Sequence, residues 1–174
     1  MQSATKEHEK YHLYSQAKAF LGREFMLWLW KHIEDATEHE IEGHKVEIWL
    51  QDKVNYTNPN RHKGVTKMAI QGEESASNVI SRLALKLGMQ PSEYRLGMRI
   101  NGRTEMLFSI TPELSVKSWK LSVQDEINDE DKTMEEFDYM VLTDDVITSL
   151  FHTFLQKKSG TDFLPEVSKW IRSR

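Results

Sequence analysis

EYRLGMRINGRTEMLFSI, Glu93 to Ile110, decides the fold class. Two alternating runs flank Asn101-Gly102, the strongest short-range signal for a tight hairpin turn. Leu96, Met98 and Ile100 share one face, as in a half-buried antiparallel arm. Arg95 and Arg99 lie on the other face, with Arg103 following across the turn.

Further strands flank this hairpin. HKVEIWLQ (His44 to Gln51) sets Val46, Ile48 and Leu50 against Lys45, Glu47 and Trp49. Asp52-Lys53 reads as a turn, with VNYT returning as a partner strand. GVTKMAIQG (Gly64 to Gly72) alternates again. SVKSWKLSV (Ser115 to Val123) reads as a strand whose apolar residues Val116, Trp119 and Leu121 break strict alternation. His39 to Gly43, Thr57 to Gly64 and the acidic DEINDEDK (Asp125 to Lys132) read as a turn and loops. A helix over Ala76 to Leu87 carries the stripe Val79, Ile80, Leu83 and Leu87, with Ser75 as its cap and Gly88 as its stop. Thr143 reads as the cap of a helix from Asp144 to Lys157, and Phe163 to Arg174 as a closing helix. The class is α+β: an antiparallel sheet built largely from the middle of the chain, packed by an N-terminal helix and C-terminal helices. Residues 1–14 read as a frayed N-terminus and 15–174 as a single domain.

The N-terminal helix spans about Ser15 to Ala36 and contains FLGREFMLWLWKHIED (Phe20 to Asp35). A membrane span needs about 20 mostly apolar residues, and Arg23, Glu24, Lys31, Glu34 and Asp35 close this run on both sides. The helix is apolar on most of its circumference, so more than one neighbour must bury it. A sheet of the same chain and a second subunit meet that need, with Phe25, Trp28 and Trp30 as the expected interface residues.

The chain has 174 residues, 39% apolar and 29% charged, an ordinary globular mix. It has no cysteine, which excludes disulfides, a thiol nucleophile and cysteine-ligated metal. The N-terminus lacks the apolar segment of a secretory signal, so the expected location is cytoplasmic. The net charge of −4 is unevenly spread. Arg61 to Lys120 holds ten Lys and Arg against five Glu, a balance of +5, while the remainder carries −9. That asymmetry points to an electropositive surface on an acidic body.

Candidate catalytic groups are sparse. His8 and His12 lie one helical turn apart near the terminus. His39, Glu40 and His44 bracket a polar turn, and His32 reads as a hydrogen-bonded core histidine. Asp125, Glu126, Asp129, Glu130 and Asp131 lack the order of a calcium-binding loop. No phosphate-binding, dinucleotide, serine-hydrolase or zinc-protease motif is present. The expectation is a binding protein, with no enzyme activity, no cofactor and no metal.

Taken together, FLGREFMLWLW, VTKMAI with its following helix, the middle hairpin and FDYMVLTDDVITSLFHTFL resemble the carboxyl-terminal half of the RdgC-type recombination-associated proteins. The likeness covers most of residues 20–158 and is one of order and pattern. It implies a nucleoid-associated, non-enzymatic protein that binds duplex DNA without sequence preference. It also implies a homo-oligomeric ring or clamp that antagonises a recombinase, modulating recombination or replication. The chain is much shorter than a full-length member, so the family's amino-terminal half has no counterpart in it. The strand Lys67 to Gln71 occupies a spot similar to the family's ring lining. The expected DNA contacts are Arg61, Lys63, Lys67, Gln71, Arg95, Arg99, Arg103, Lys117 and Lys120, acting on the phosphate backbone. The rival expectation is a protein–protein adaptor or scaffold without a nucleic-acid role. A metal-dependent enzyme using the histidine and acidic clusters is the third.

Overall fold

A computed structural model describes residues 21–41, 43–58, 60, 64–72, 79–103, 105–122 and 129–173. The expected frayed terminus, the Ser75 cap, Arg61, Lys63, His8, His12 and the start of the acidic run lie outside those residues. Helix α1 covers 21–35. Strands β1 (Glu38–Ile41), β2 (His44–Thr57) and β3 (Lys67–Gln71) follow, then helix α2 (Val79–Lys86). Strands β4 (Gln90–Ile100), β5 (Glu105–Ile110) and β6 (Val116–Ser122) lead to helices α3 (Asp129–Lys158) and α4 (Phe163–Ser173). The strands form one antiparallel sheet in the order β1-β2-β4-β5-β6, with β3 also on β2. This is the α+β architecture expected from the sequence.

The hairpin forms as its turn residues require. Asn101 and Gly102 both adopt positive φ, 52° and 67°, the conformation that favours Asn-Gly in tight hairpins. Arg99 then faces Glu105, Gly97 faces Leu107 and Arg95 faces Ser109. The tip is clipped to β2. The Lys45 amide donates to Asn101 Oδ1 at 2.9 Å, and the Asn101 amide donates to the Lys45 carbonyl at 2.7 Å.

Several boundaries differ from the sequence reading. Asp52-Lys53 does not turn the chain; β2 runs 14 residues unbroken. Its register on β4 shifts between Leu50 and Val54, where a bulge takes up two residues. An even insertion keeps Leu50 and Val54 on the same face, so the strand continues without losing its apolar side. Residues 39–41 of the expected polar turn belong instead to β1, paired with β2 from Glu38↔Glu47 to Ile41↔His44. Thr143 is no cap. It lies fully buried inside one continuous 30-residue helix, which also takes in Asp129 to Lys132 of the expected acidic loop. The Thr143 hydroxyl donates back to the Tyr139 carbonyl at 2.7 Å and accepts the Trp119 indole N–H at 3.1 Å. Its polar group is thus satisfied in place, as a buried hydroxyl must be.

The core lies between one face of the sheet and the helices. Val46, Ile48, Val54 and Tyr56 of β2, Tyr94, Leu96, Met98 and Ile100 of β4, and Met106, Phe108 and Ile110 of β5 form the sheet side. Helix α1 sits in the middle of this core. Trp30 meets Tyr56 and Tyr94 on the sheet side, with ring centroids 6.4 and 5.8 Å away, and Trp170 of α4 at 5.5 Å. Phe25 packs on Phe151 and Phe154 of α3. At the rim, Glu34 accepts the indole N–H groups of both Trp30 and Trp170, at 2.8 and 3.0 Å.

This arrangement corrects the expected interface. Phe25, Trp28 and Trp30 are 0, 4 and 1% exposed within their own chain, so they present nothing to a second subunit. The second neighbour that the wide apolar stripe demanded is the α3–α4 pair. The same packing accounts for the glycine of FLGREF. A Cβ on Gly22 would sit 1.6 Å from the Pro112 carbonyl oxygen; only a residue without a side chain lets α1 approach the loop after β5 so closely.

Candidate nucleic-acid interface

The opposite face of the sheet is open: among the described residues every helix packs on the core side. Register assigns its side chains. Opposite Glu47 of β2 stand Arg99 of β4 and Glu105 of β5. The next row on the same face is Trp49, Gly97, Leu107 and Lys120, and beyond it come Arg95, Ser109 and Lys117. On the other side of β2, Lys67, Ala69 and Gln71 of β3 stand beside Thr57, Asn55 and Lys53.

Lys117 and Lys120 share this face because of a local irregularity. Three residues apart, they would fall on opposite faces of a regular strand. The β5–β6 register shifts between Leu107 and Ser109, and Ser118 takes a positive φ of 52°. This bulge inserts one residue and inverts the alternation beyond it. It sends Val116, Trp119 and Leu121 all to the core side, which accounts for their broken alternation in sequence, and leaves both lysines outside.

The face carries seven basic residues, Lys45, Lys53, Lys67, Arg95, Arg99, Lys117 and Lys120, against five glutamates, Glu38, Glu40, Glu47, Glu93 and Glu105. Most of the acids are engaged. Glu38 pairs with Lys45 at 2.9 Å and Glu93 with Lys53 at 3.7 Å. Glu47 and Glu105 both hold Arg99, at 3.1 and 3.4 Å. The Arg99 guanidinium also lies 5.6 Å from the centroid of the Trp49 ring, within cation–π range. Lys67, Arg95, Lys117 and Lys120 make no ion pair among the described residues. Glu113, in the turn before β6, is held below the usual carboxylate range first by the Thr111 hydroxyl; the fields of Lys117 and Arg23 add to this.

The sequence candidates therefore divide. Arg95, Lys117 and Lys120 cluster around Ser109 and Leu107. Lys67 and Gln71 are exposed on β3, two strand spacings (about 10 Å) from Arg95 and four (about 19 Å) from Lys117 and Lys120. Arg99 is on the face but engaged. Arg103 is exposed at the hairpin tip, where it lines a surface groove with Glu135 and Asp138 of α3. Trp49, set flat on Gly97, was missed as a site residue. Its signal was a tryptophan on the polar side of an alternating strand.

Of the candidate metal cluster His39, Glu40 and His44, His39 stacks on the core histidine His32, while His44 Nδ1 lies 3.1 Å from Asn101 Nδ2. His32 stacks between Trp28 and His39, with centroids 4.5 and 4.4 Å away. Burial, chiefly, lowers the His32 pKa from 6.5 to about 4, helped by His39 and Lys157. Burial also lowers that of His39. Both imidazoles are neutral stacking surfaces at neutral pH. No group of three or more metal-ligating side chains occurs among the described residues, and no helix there is long and apolar enough to cross a membrane. No family model, curated protein or solved structure matches this chain.

Proposed function

We propose that the chain binds the phosphate backbone of duplex DNA across its open sheet face, without reading sequence. One observation carries this reading: Arg95, Lys117 and Lys120 stand together on that face with no carboxylate paired to them among the described residues. Cations of this kind bind phosphate by releasing condensed counterions, and they position a duplex without distinguishing bases. Lys67 and Gln71 extend the surface on the far side. Arg99, already shared by Glu47 and Glu105, orders Trp49 and contributes less directly. Membership of the RdgC type, with a recombination-linked role at the nucleoid, is part of the same proposal.

The test is titration of labelled duplexes of unrelated sequence at low salt. Arg95→Ala, Lys117→Ala and Lys120→Ala should each weaken binding by the same factor on every duplex. Arg172→Ala, on α4 at the opposite side of the core, should leave affinity unchanged. Absence of binding by folded protein would favour the adaptor reading.

A further inference from the structure

Two helices turn their apolar sides to water. On α2, Val79 and Leu83 are 75 and 51% exposed, and Ile80, with Leu87 just past the end of the helix, lies between those values. The residues it buries are Ser81, Ala84 and Leu85. The first half of α3 does the same with Met134, Phe137, Met140 and Val141, which range from 67 to 44% exposed. At about 100° per residue each set falls on a single side of its helix. Large apolar side chains gathered this way and rimmed by charge mark a contact surface rather than ordinary scatter.

The two surfaces lie at opposite ends of the molecule. Helix α2 leads through Gly88 and Met89 into the first residue of β4. The α3 surface belongs to the other end: Glu135, Asp138, Tyr139 and Leu142 line the groove against Asn101 and Arg103, just past the last residue of β4. Eleven strand residues separate the ends by about 33 Å. One surface therefore cannot cover the other within a chain.

Charge selects the pairing. The charged residues of α2 are Arg82 and Lys86, both basic. From Thr133 to Asp145, α3 carries Glu135, Glu136, Asp138, Asp144 and Asp145 and no basic residue. Contact of α3 with α3 would bring ten carboxylates together, and α2 with α2 would bring four cations together. Like charges across an interface cost affinity. Contact of α2 with α3 joins apolar to apolar and basic to acidic.

We infer that the α3 surface of one copy of this chain docks on the α2 surface of another. Such a contact is heterologous. One copy keeps its α2 surface unused and the other its α3 surface, so copies add head to tail until they close into a ring or extend as a filament. Neither surface lies on the open sheet face, so assembly does not depend on nucleic acid.

Sedimentation velocity of the full chain, without nucleic acid, tests this with two surface variants, Leu83→Asp on α2 and Phe137→Asp on α3. The wild type should grow with concentration past the dimer, and raised salt should weaken it. Each variant alone should remain monomeric while keeping the wild-type melting temperature. An equimolar mixture should form a dimer and nothing larger, because only the α2 surface of Phe137→Asp and the α3 surface of Leu83→Asp remain. A variant that still dimerises alone would overturn the inference in favour of an isologous contact. A wild type that stays monomeric at every concentration would overturn it in favour of a different partner. A mixture that stays monomeric while the wild type assembles would place the contact elsewhere. None of these results bears on DNA affinity measured with dilute protein.

Discussion

Trp49 lies flat across Gly97 on the open face of the sheet: a Cβ on Gly97 would sit 2.2 Å from the indole Cε2. The two residues are direct cross-strand partners. The missing side chain is what lets a large ring lie down on the sheet instead of standing out from it. Arg99 then finds the ring within reach, and Glu47 and Glu105 hold the guanidinium there.

Gly97→Ala should displace the indole. The expected cost is about 1–3 kcal/mol, the range for forcing extra volume into a packed site. Chemical denaturation with tryptophan fluorescence measures both the loss and the change around Trp49. Adding Trp49→Ala to Gly97→Ala removes the clash, so the two substitutions should be strongly non-additive. Additive costs would mean that the ring does not occupy that position.

Trp30→Ala should destabilise the chain by about 3–5 kcal/mol, the cost of removing a large aromatic from a core. The residue is 1% exposed and ringed by Tyr56, Tyr94 and Trp170. Thermal melting measures the loss. Sedimentation at a temperature where the variant is still folded should show unchanged self-association, since Trp30 faces its own chain.

Stability should decline as pH falls from about 6.5 towards 4. His32 titrates near 4 in the folded chain against 6.5 when unfolded, so between those values the unfolded state binds more protons. The stabilisation is complete above 6.5 and is lost as pH falls through the folded value. His39 contributes in the same direction. Beside His32, Lys31, Lys157 and His39 lower its pKa, and Asp35 opposes them. His32→Phe keeps a ring between Trp28 and His39 but removes one titration. Denaturation across this pH window should show a shallower slope for the variant than for the wild type. Equal slopes would contradict the assignment.

How far the sequence carried depended on whether the deciding contact was local. Asn101-Gly102 specifies its own turn, so the hairpin was legible. So was the helix-forming apolar pattern of α1, because periodicity is a property of the segment itself. What buries α1 was not legible: a stripe shows that something covers it, and only the three-dimensional structure shows that α3 and α4 do. The bulge at Ser118 changes which residues share a face, and nothing local marks it beyond the broken alternation around Trp119; the bulge at Gln51–Lys53 leaves no mark in the alternation at all. Thr143 reads as a cap because the acids Asp144 and Asp145 follow it; its actual role depends on Trp119, 24 residues earlier. Helix α2 misled in the other direction. Its apolar stripe is real, but it points to water. The candidate site was partly legible for the same reason. The basic character of the middle segment shows in the sequence. That Arg95 and the two lysines form no ion pair among the described residues while Arg99 forms two depends on strand register.

The salt dependence of duplex affinity tests the central claim most directly. Each cation that neutralises a phosphate contributes about −0.9 to the slope of log affinity against log salt. With Lys67, Arg95, Lys117 and Lys120 engaged, the wild-type slope should be about −3.6, a loss of roughly a hundredfold between 50 and 200 mM salt. The triple variant Arg95→Ala, Lys117→Ala, Lys120→Ala should flatten that slope by about 2.7, with its melting temperature unchanged. A folded triple variant that binds duplex with the wild-type affinity and slope would show that the open sheet face is not where the phosphate backbone sits.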